Sequence, residues 1–323
     1  MRALVTGGAG FIGSTLADRL LAEGHTVDVI DDLSTGSLAN LADARAGKGL
    51  TFHQMDIRSP QLGELLERRR PEVVFHLAAQ ADVRVSVANP VFDAEVNVLG
   101  SLNVLEAARR AGAAKVVFAS SGGTIYGDPD PSELPVKESH PRRPLSPYGV
   151  AKNAVGDYLV AYRQLHDLEF TALALANVYG PRQDPHGEAG VVAIFAGHLL
   201  GGRACTIFGS GEQTRDFVFV DDVVDAFARA ADKAGGLLLN IGTGAETSVN
   251  HLYTTMAAAA GVEAPAVRAP ARPGELDRSS LDPAKAAIHL GWKPWTSLEE
   301  GVAAVLEHFA RHQRQARPPQ PDR

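Results

Sequence analysis

The chain has 323 residues, enough for two domains or one large α/β unit. Its 31 basic residues against 38 acidic ones leave a net charge of −7, which argues against nucleic-acid binding, because neutralising phosphates takes a basic face. With 45% apolar and 21% charged residues the chain can bury a sizeable core, and its single cysteine, Cys205, excludes an internal disulfide and a cysteine-rich metal site and fits a reducing, cytoplasmic setting. Arg2 to Thr6 is a short apolar, β-branched run that reads as a buried strand; Gly7 interrupts it, unlike the core of a signal peptide. Phe11 to Glu23 carries apolar residues at helical spacing and stops at Gly24. Strands follow over Thr26 to Asp31 and Leu50 to Asp56, a helix over Pro60 to Arg70, and a strand over Glu72 to Ala78. Val91 to Gly112 predicts one long helix, Lys115 to Ser121 a strand, Pro147 to His166 a helix and Phe170 to Ala176 a sixth strand. Strands that alternate with helices and are apolar along their whole length predict a parallel sheet buried on both faces, with right-handed crossovers.

After Asn177 the rhythm loosens and proline and glycine become frequent. Elements remain legible at Thr206 to Phe208, Asp221 to Ala231, Leu237 to Ile241, Ser248 to Gly261, Pro283 to Leu290 and Leu298 to Arg311. The expectation is a cofactor domain over 1–176 and a smaller mixed α/β lobe over 177–312 that sends some chain back to it. The polar stretch 313–323, rich in proline, reads as a disordered tail. No apolar run approaches the roughly 18 to 20 residues of a membrane span. The 11 histidines show no ligand spacing, so no metal is expected; His76 reads as a packed strand residue, and Trp292 and Trp295 as packing in the second lobe.

Glycine is in excess, at 32 residues, and its placement is informative. Gly7, Gly8, Gly10 and Gly13 lie between the first strand and the first helix, with Gly8, Gly10 and Gly13 in G-x-G-x-x-G spacing. One such glycine permits a tight turn, one lets the backbone approach a pyrophosphate, and one lets helix and sheet pack closely. The N–H groups at the helix start then hold phosphate. Asp31, 18 residues beyond Gly13 at the end of the second strand, stands where a ribose 2′-hydroxyl is read. A carboxylate there favours NAD over NADP. Together these make the sheet a Rossmann-type, doubly wound one. Tyr148 and Lys152 lie four apart near the start of a helix and share a face. A tyrosine titrates near 10, so ionising it at neutral pH takes about 4 kcal/mol, which an ammonium and a nicotinamide cation nearby can supply.

These residues, with Asp56-Ile57-Arg58, His76 to Gln80, Asn97 to Gly100, Ser120 to Gly127, Asn177 to Arg182, Arg215-Asp216-Phe217 and Arg272 to Glu275, carry a resemblance. The chain resembles the extended short-chain dehydrogenase/reductase superfamily, and within it the nucleotide-sugar 4-epimerases of the UDP-galactose 4-epimerase type. The resemblance runs from residue 1 to about residue 312. It implies tightly held NAD, contacted by Gly7, Gly10, Phe11, Ile12, Gly13, Asp31, Asp32, Asp56, Ile57, Ala78, Ala79, Gln80, Asn97, Tyr148 and Lys152. It implies that Tyr148 exchanges the proton of the sugar 4-hydroxyl, that Lys152 lowers the tyrosine pKa and binds the nicotinamide ribose, and that Asn177, Arg215, Arg272 and Glu275 hold the nucleotide diphosphate, with Val191 nearby. Where the best-known members carry a serine this chain has Gly122, so the proton-sharing hydroxyl falls to Thr124 or Ser121. Gly122, Gly123 and Thr124 also stand where dehydratases and decarboxylases of the superfamily place carboxylates, which makes those activities unexpected. Arg182 is a candidate for gripping a 6-carboxylate and Arg84 a weaker one, making UDP-glucuronate an alternative to UDP-glucose. Ser279 would leave room for an N-acetyl group, and a non-catalytic NAD-binding regulator is the alternative from another class. Helices Val91 to Gly112 and Pro147 to His166 resemble those that pair in homodimers of the family.

Overall fold

A computed structural model of the chain describes residues 1–185, 190–263, 265–272 and 276–316, with side chains to 312. In chain order the elements are β1 (Arg2–Thr6), α1 (Phe11–Ala22), β2 (Thr26–Asp31), α2 (Ala42–Ala46), β3 (Leu50–Gln54), α3 (Leu62–Arg69), β4 (Val73–His76), α4 (Val83–Ala88), α5 (Pro90–Ala94) and α6 (Ser101–Arg110). Then come β5 (Lys115–Ser121), α7 (Gly122–Ile125), α8 (Pro147–His166), β6 (Glu169–Leu175), β7 (Asn177–Tyr179), α9 (Val191–Leu200), β8 (Thr206–Phe208), β9 (Thr214–Arg215), β10 (Phe217–Phe219) and α10 (Val220–Ala230). The chain closes with β11 (Leu237–Ile241), β12 (Thr247–Ser248), α11 (Val249–Ala260), β13 (Val267–Ala269), α12 (Ala284–Leu290) and α13 (Leu298–Ala316).

The apolar strands do what their composition demands. Seven of them form one sheet in the order β3-β2-β1-β4-β5-β6-β11, and every pair in it is parallel. One face is covered by α3, α6 and α8, through Leu62, Leu66, Val104, Leu105, Val155 and Leu159. The other is covered by α1, α9, α10, α11 and α13 in one continuous core that runs from Ala3 to Leu306. The order reverses at β1, between β2 and β4, and a crevice at the carboxyl ends of such strands is where this kind of sheet receives a ligand. Both β1 and β4 deliver candidate residues there.

The chain after residue 176 is interleaved with the main sheet. β11, which follows some sixty residues of that chain, returns to the main sheet and pairs with β6 from Leu237↔Thr171 to Ile241↔Leu175. Among the described residues, the rest of that chain forms three two-stranded pairs, β10-β7, β12-β9 and β13-β8. Three local readings differ from the structure. The single helix expected over 91–112 is three pieces, α5, a π-helical segment at Glu95–Gly100, and α6. The wide turn brings Gly100 against Ile57, where a Cβ would come within 2.8 Å of Ile57 Cδ1. Residues 313–316, expected in the tail, continue α13 to Ala316, and 317–323 lie outside the described residues. Trp292 is fully buried, its indole N–H donating to the Asp222 carbonyl at 2.7 Å, but Trp295 is exposed. No helix among the described residues is long and apolar enough to cross a membrane.

Candidate active site

The glycine loop is built by close approach. Gly7 has φ +69°, a left-handed conformation that favours glycine, and a Cβ on it would come 2.7 Å from the Ala78 nitrogen at the end of β4. A Cβ on Gly13 would land on the carbonyl oxygen of Gly7, so only hydrogen fits where α1 starts over the loop. Gly10 is the N-cap of α1 and has no side chain to occupy that end. The first N–H groups of the helix, on Phe11 and Ile12, have no partner within it. Small backbone, free donors and the positive helix end fit a pyrophosphate, so the residues present fit a dinucleotide.

Asp31 is buried, and its carboxylate accepts from the Ala9 N–H at 2.9 Å and the Leu33 N–H at 2.8 Å. Burial raises its pKa while the two backbone bonds oppose the rise. It thus braces the glycine loop from β2, in addition to any part it takes in reading a ribose. Asp32 accepts from Ser34 N–H and Oγ–H. Asp56 is held in a fork by Arg58 Nε and Nη2, which keeps its carboxyl below the usual range. Ala78, Ala79 and Gln80 follow β4. The Gln80 N–H donates to Asn97 Oδ1 at 2.9 Å, Asn97 Nδ2 donates back to the Gln80 carbonyl at 2.7 Å, and both side chains donate to Asp93 Oδ1 at 3.0 Å. The π-helical segment therefore seats Asn97 against the chain leaving β4.

Tyr148 and Lys152 are on the first turns of α8. The helix starts there because Ser146 Oγ caps the Gly149 N–H and Pro147 occupies the first turn. Lys152 is 4% exposed, and its ammonium donates to the Ala119 carbonyl at 2.9 Å and lies 5.6 Å from the centre of the Tyr148 ring and 4.8 Å from that of Phe118. A buried cation under the phenol is the arrangement that stabilises a phenolate. His76 is fully buried beside it; burial first, then the Lys152 charge, pushes its pKa down to about 3, so it stays neutral. Its ring bridges Thr6 Oγ at 2.7 Å and Ser101 Oγ at 2.9 Å, tying β1 and β4 to α6.

Facing α8 is the segment after β5. Ser121 ends β5, and Thr124 sits on α7 with its hydroxyl donating to the Ser121 carbonyl at 3.4 Å. Gly149 packs against Thr124, whose carbonyl oxygen a Cβ would meet at 2.8 Å. Ser121 and Thr124 are thus next to the turn that carries Tyr148. Position 122 points elsewhere: a Cβ on Gly122 would land on Leu281 Cδ1 and lie 3.2 Å from the Ala174 carbonyl oxygen. A serine side chain has no place there unless Leu281 moves.

Of the residues expected at the diphosphate, Asn177 and Arg215 lie on short strands. Asn177 opens β7, which pairs with β10 at Phe217, and Arg215 ends β9, its Nη1 donating to the Thr214 carbonyl at 2.7 Å. Arg272 stacks its guanidinium 3.9 Å over the Phe208 ring. Val191 is the first residue of α9. Glu275 lies outside the described residues. Arg84 is highly exposed and forks onto Asp82, the cap of α4. Arg182 has a left-handed backbone, pairs with Asp18 of α1 at 2.6 Å, and its N–H meets His308 of α13 at 3.4 Å. These partners belong to the sheet face opposite α8. The sequence reading missed Asp216 as a buried group: it is 1% exposed and accepts four hydrogen bonds, an environment that nothing in the Arg-Asp-Phe string announces. Among the described residues no group of three or more His, Cys, Asp and Glu is placed to hold a metal.

Comparison with known proteins gives this arrangement its context. Residues 3–242 match the model of the NAD dependent epimerase/dehydratase family. The chain is 54% identical over 310 residues to a UDP-glucose 4-epimerase of Mycolicibacterium smegmatis, covering 96% of this chain and 98% of that one. It is similar to the crystal structure of a UDP-glucose 4-epimerase from Thermotoga maritima with UDP-glucose, at TM-score 0.92 and 44% identity over 97% of this chain and 100% of that one. A UDP-glucose 4-epimerase of Thermus thermophilus in complex with NAD matches at TM-score 0.89 and 46% identity, over 96% and 99% of the two chains.

Proposed function

The chain belongs to the NAD dependent epimerase/dehydratase family, and from that premise we propose that it is an NAD-dependent UDP-glucose 4-epimerase, an isomerase that interconverts UDP-glucose and UDP-galactose. The observation that carries the reading is the Lys152 ammonium buried 5.6 Å from the Tyr148 ring, next to a glycine loop that fits a dinucleotide. Gly7, Gly10 and Gly13 with the first turn of α1 hold the pyrophosphate, Asp31 and Asp32 face the adenosine ribose, Asp56 and Ile57 the adenine, and Ala78 to Gln80 with Asn97 the nicotinamide end. NAD held there would supply the redox chemistry, reversible hydride transfer at carbon 4 of the sugar. Tyr148 takes the 4-hydroxyl proton and gives it back, Lys152 holds the phenol near its ionised form, and Thr124 or Ser121 shares the proton. Asn177, Arg215 and Arg272 hold the diphosphate, where the fork of an always-charged guanidinium suits phosphate oxygens.

The ion pair of Arg182 Nη2 with Asp18 on the α1 side supports a neutral hexose over a hexuronate, while Nη1 is buried without a hydrogen-bond partner. A homodimer is part of the same reading. α5, the π-helical segment and α8 expose Val91, Phe92, Leu99 and Val150. A groove of about 500 Å³ lined by Pro90, Val98, Leu145 and Val150 lies among them, apolar enough to favour burial against a second copy. The buried free thiol of Cys205 suits the cytoplasm. The test is a substrate panel. Purified protein is incubated with UDP-glucose, UDP-glucuronate and UDP-N-acetylglucosamine and the products are resolved. The expected outcome is interconversion of the UDP-glucose pair without added cofactor. Tyr148→Phe is expected to lower turnover by about 10²- to 10⁴-fold, the usual range for a lost proton-transfer group, with NAD content unchanged. Unchanged turnover in that variant removes the base assignment, and no turnover by the parent protein on any of the three leaves the regulator reading standing.

A further inference from the structure

Next to Arg215, one of the residues proposed for the diphosphate, the chain buries a carboxyl group. Asp216 follows Arg215 and is 1% exposed. Its Oδ1 accepts from the Thr243 N–H at 2.8 Å and the Thr243 hydroxyl at 2.6 Å; its Oδ2 accepts from the Gly244 N–H at 3.1 Å and the Leu281 N–H at 3.1 Å. Its carbonyl accepts from the Asn177 N–H at 2.9 Å. Five bonds thus join β7, β9, the turn after β11 and the segment before α12. Leu281, held from its N–H, packs its side chain where a Cβ on Gly122 would stand. That contact continues the linkage into α7, which carries Thr124. The turn is tight, for a Cβ on Gly242 would also land on the carboxylate. A second tie runs parallel: the Tyr126 hydroxyl donates to Asn240 Oδ1 at 2.7 Å, and Asn240 Nδ2 donates to the Val136 carbonyl at 2.8 Å.

From this juxtaposition we infer that Asp216 is a positioning residue, which fixes the reach from the diphosphate anchors Asn177 and Arg215 to the proton-transfer segment Ser121–Thr124. An ionised carboxylate is suited to this. Four charge-assisted bonds from three separate backbone points are stiffer than neutral ones, and an amide or hydroxyl cannot accept all four. A sugar tethered by its diphosphate must present carbon 4 to Tyr148, and a misplacement of about 1 Å costs on the order of 10²-fold in rate. The inference rests on the epimerase reading above.

The test uses the full chain as purified. Asp216→Asn keeps size but turns one acceptor into a donor aimed at an N–H. The expected result is a fall in kcat for UDP-glucose of about 10²-fold, larger than the change in KM, with bound NAD unchanged. Thr243→Val removes the hydroxyl's bond to Asp216 and the bond it accepts from the Ala245 N–H at 3.1 Å, leaves the other three bonds to the carboxylate, and is expected to move kcat in the same direction by a smaller step; it decides the matter if the first variant does not fold. A folded variant with kcat within about threefold of the parent overturns the inference, because a group that only stabilises the core moves the unfolding midpoint and leaves kcat alone. Amide hydrogen exchange tests the linkage without any substrate. Faster exchange in Thr243→Val is expected at 121–126 as well as at 243–245 and 281; acceleration confined to 243–245, where the Ala245 N–H loses its own acceptor, overturns the inference. If the parent protein turns over none of the UDP-sugars, the epimerase reading falls while the exchange result still decides the linkage.

Discussion

Gly122 is the residue at which sequence and structure give different answers to the same question. Against the family pattern it is a missing serine. In the fold it is a position without room, because Leu281 and the Ala174 carbonyl occupy the space of a side chain. Gly122→Ser is therefore expected not to restore a hydroxyl to the cleft but to destabilise the protein by about 1–3 kcal/mol, the usual cost of overpacking, as read by chemical denaturation. Adding Leu281→Ala is expected to recover part of that loss; no destabilisation in the single variant would show that the side chain finds another direction. Thr124→Val and Ser121→Ala then divide the hydroxyl role between them by turnover. Arg182 is the second such residue. Its ion pair with Asp18 predicts that Arg182→Ala lowers activity on UDP-glucose and UDP-glucuronate by the same factor, if at all. A selective loss on the glucuronate would place the guanidinium at the sugar instead. Neither outcome was legible from residue type. The string Gly-Pro-Arg announces a cation, and only its partner says where the charge points.

At the scale of elements the strands were the most legible part, for a physical reason. A strand buried on both faces must be apolar along its whole length, so β1, β2, β5 and β11 have the boundaries that the apolar runs predict. α8 has the bounds read from the sequence, Pro147 to His166. The break in the helix after residue 90 was not, since a π-helical turn shifts the register of contacts without asking for a different composition, and Glu95, Val98 and Leu99 suit either helix. The two-residue strands β9 and β12 carry too little periodicity to be read at all. The glycine loop is the element where a single methyl group matters most. Gly13→Ala places a Cβ on the Gly7 carbonyl. Either the loop opens or α1 retreats, and co-purified NAD is expected to fall to a small fraction of the parent level. Full NAD content in that variant would mean that the loop yields without cost.

For the molecule as a whole, the buried histidines set a limit in acid. His76 has its pKa pushed down to about 3 by burial and the Lys152 charge, so the folded chain keeps it neutral while the unfolded chain binds a proton below about pH 6.5. The unfolded state then holds more protons, and stability falls as the pH drops from 6.5. The expected slope is about 1.4 kcal/mol per pH unit from this residue alone. His308, pushed down to about 4 mainly by burial, acts in the same direction. Asp31, Asp93 and Asp216, whose carboxyls burial raises, act against it nearer the usual carboxylate range. Urea midpoints between pH 7 and 4.5 compared with those of His76→Gln isolate the contribution: the variant is expected to show the shallower slope, and parallel curves would reject it. The return of β11 to the main sheet has a consequence for synthesis. While the ribosome makes residues 176 to 236, β6 is an edge with no neighbour beyond it, and its partner is complete only at Ile241. At about 5–20 residues per second the emerging chain displays an apolar strand edge for on the order of 3 to 13 s. A translational pause in that interval is therefore where aggregation of the nascent chain would begin.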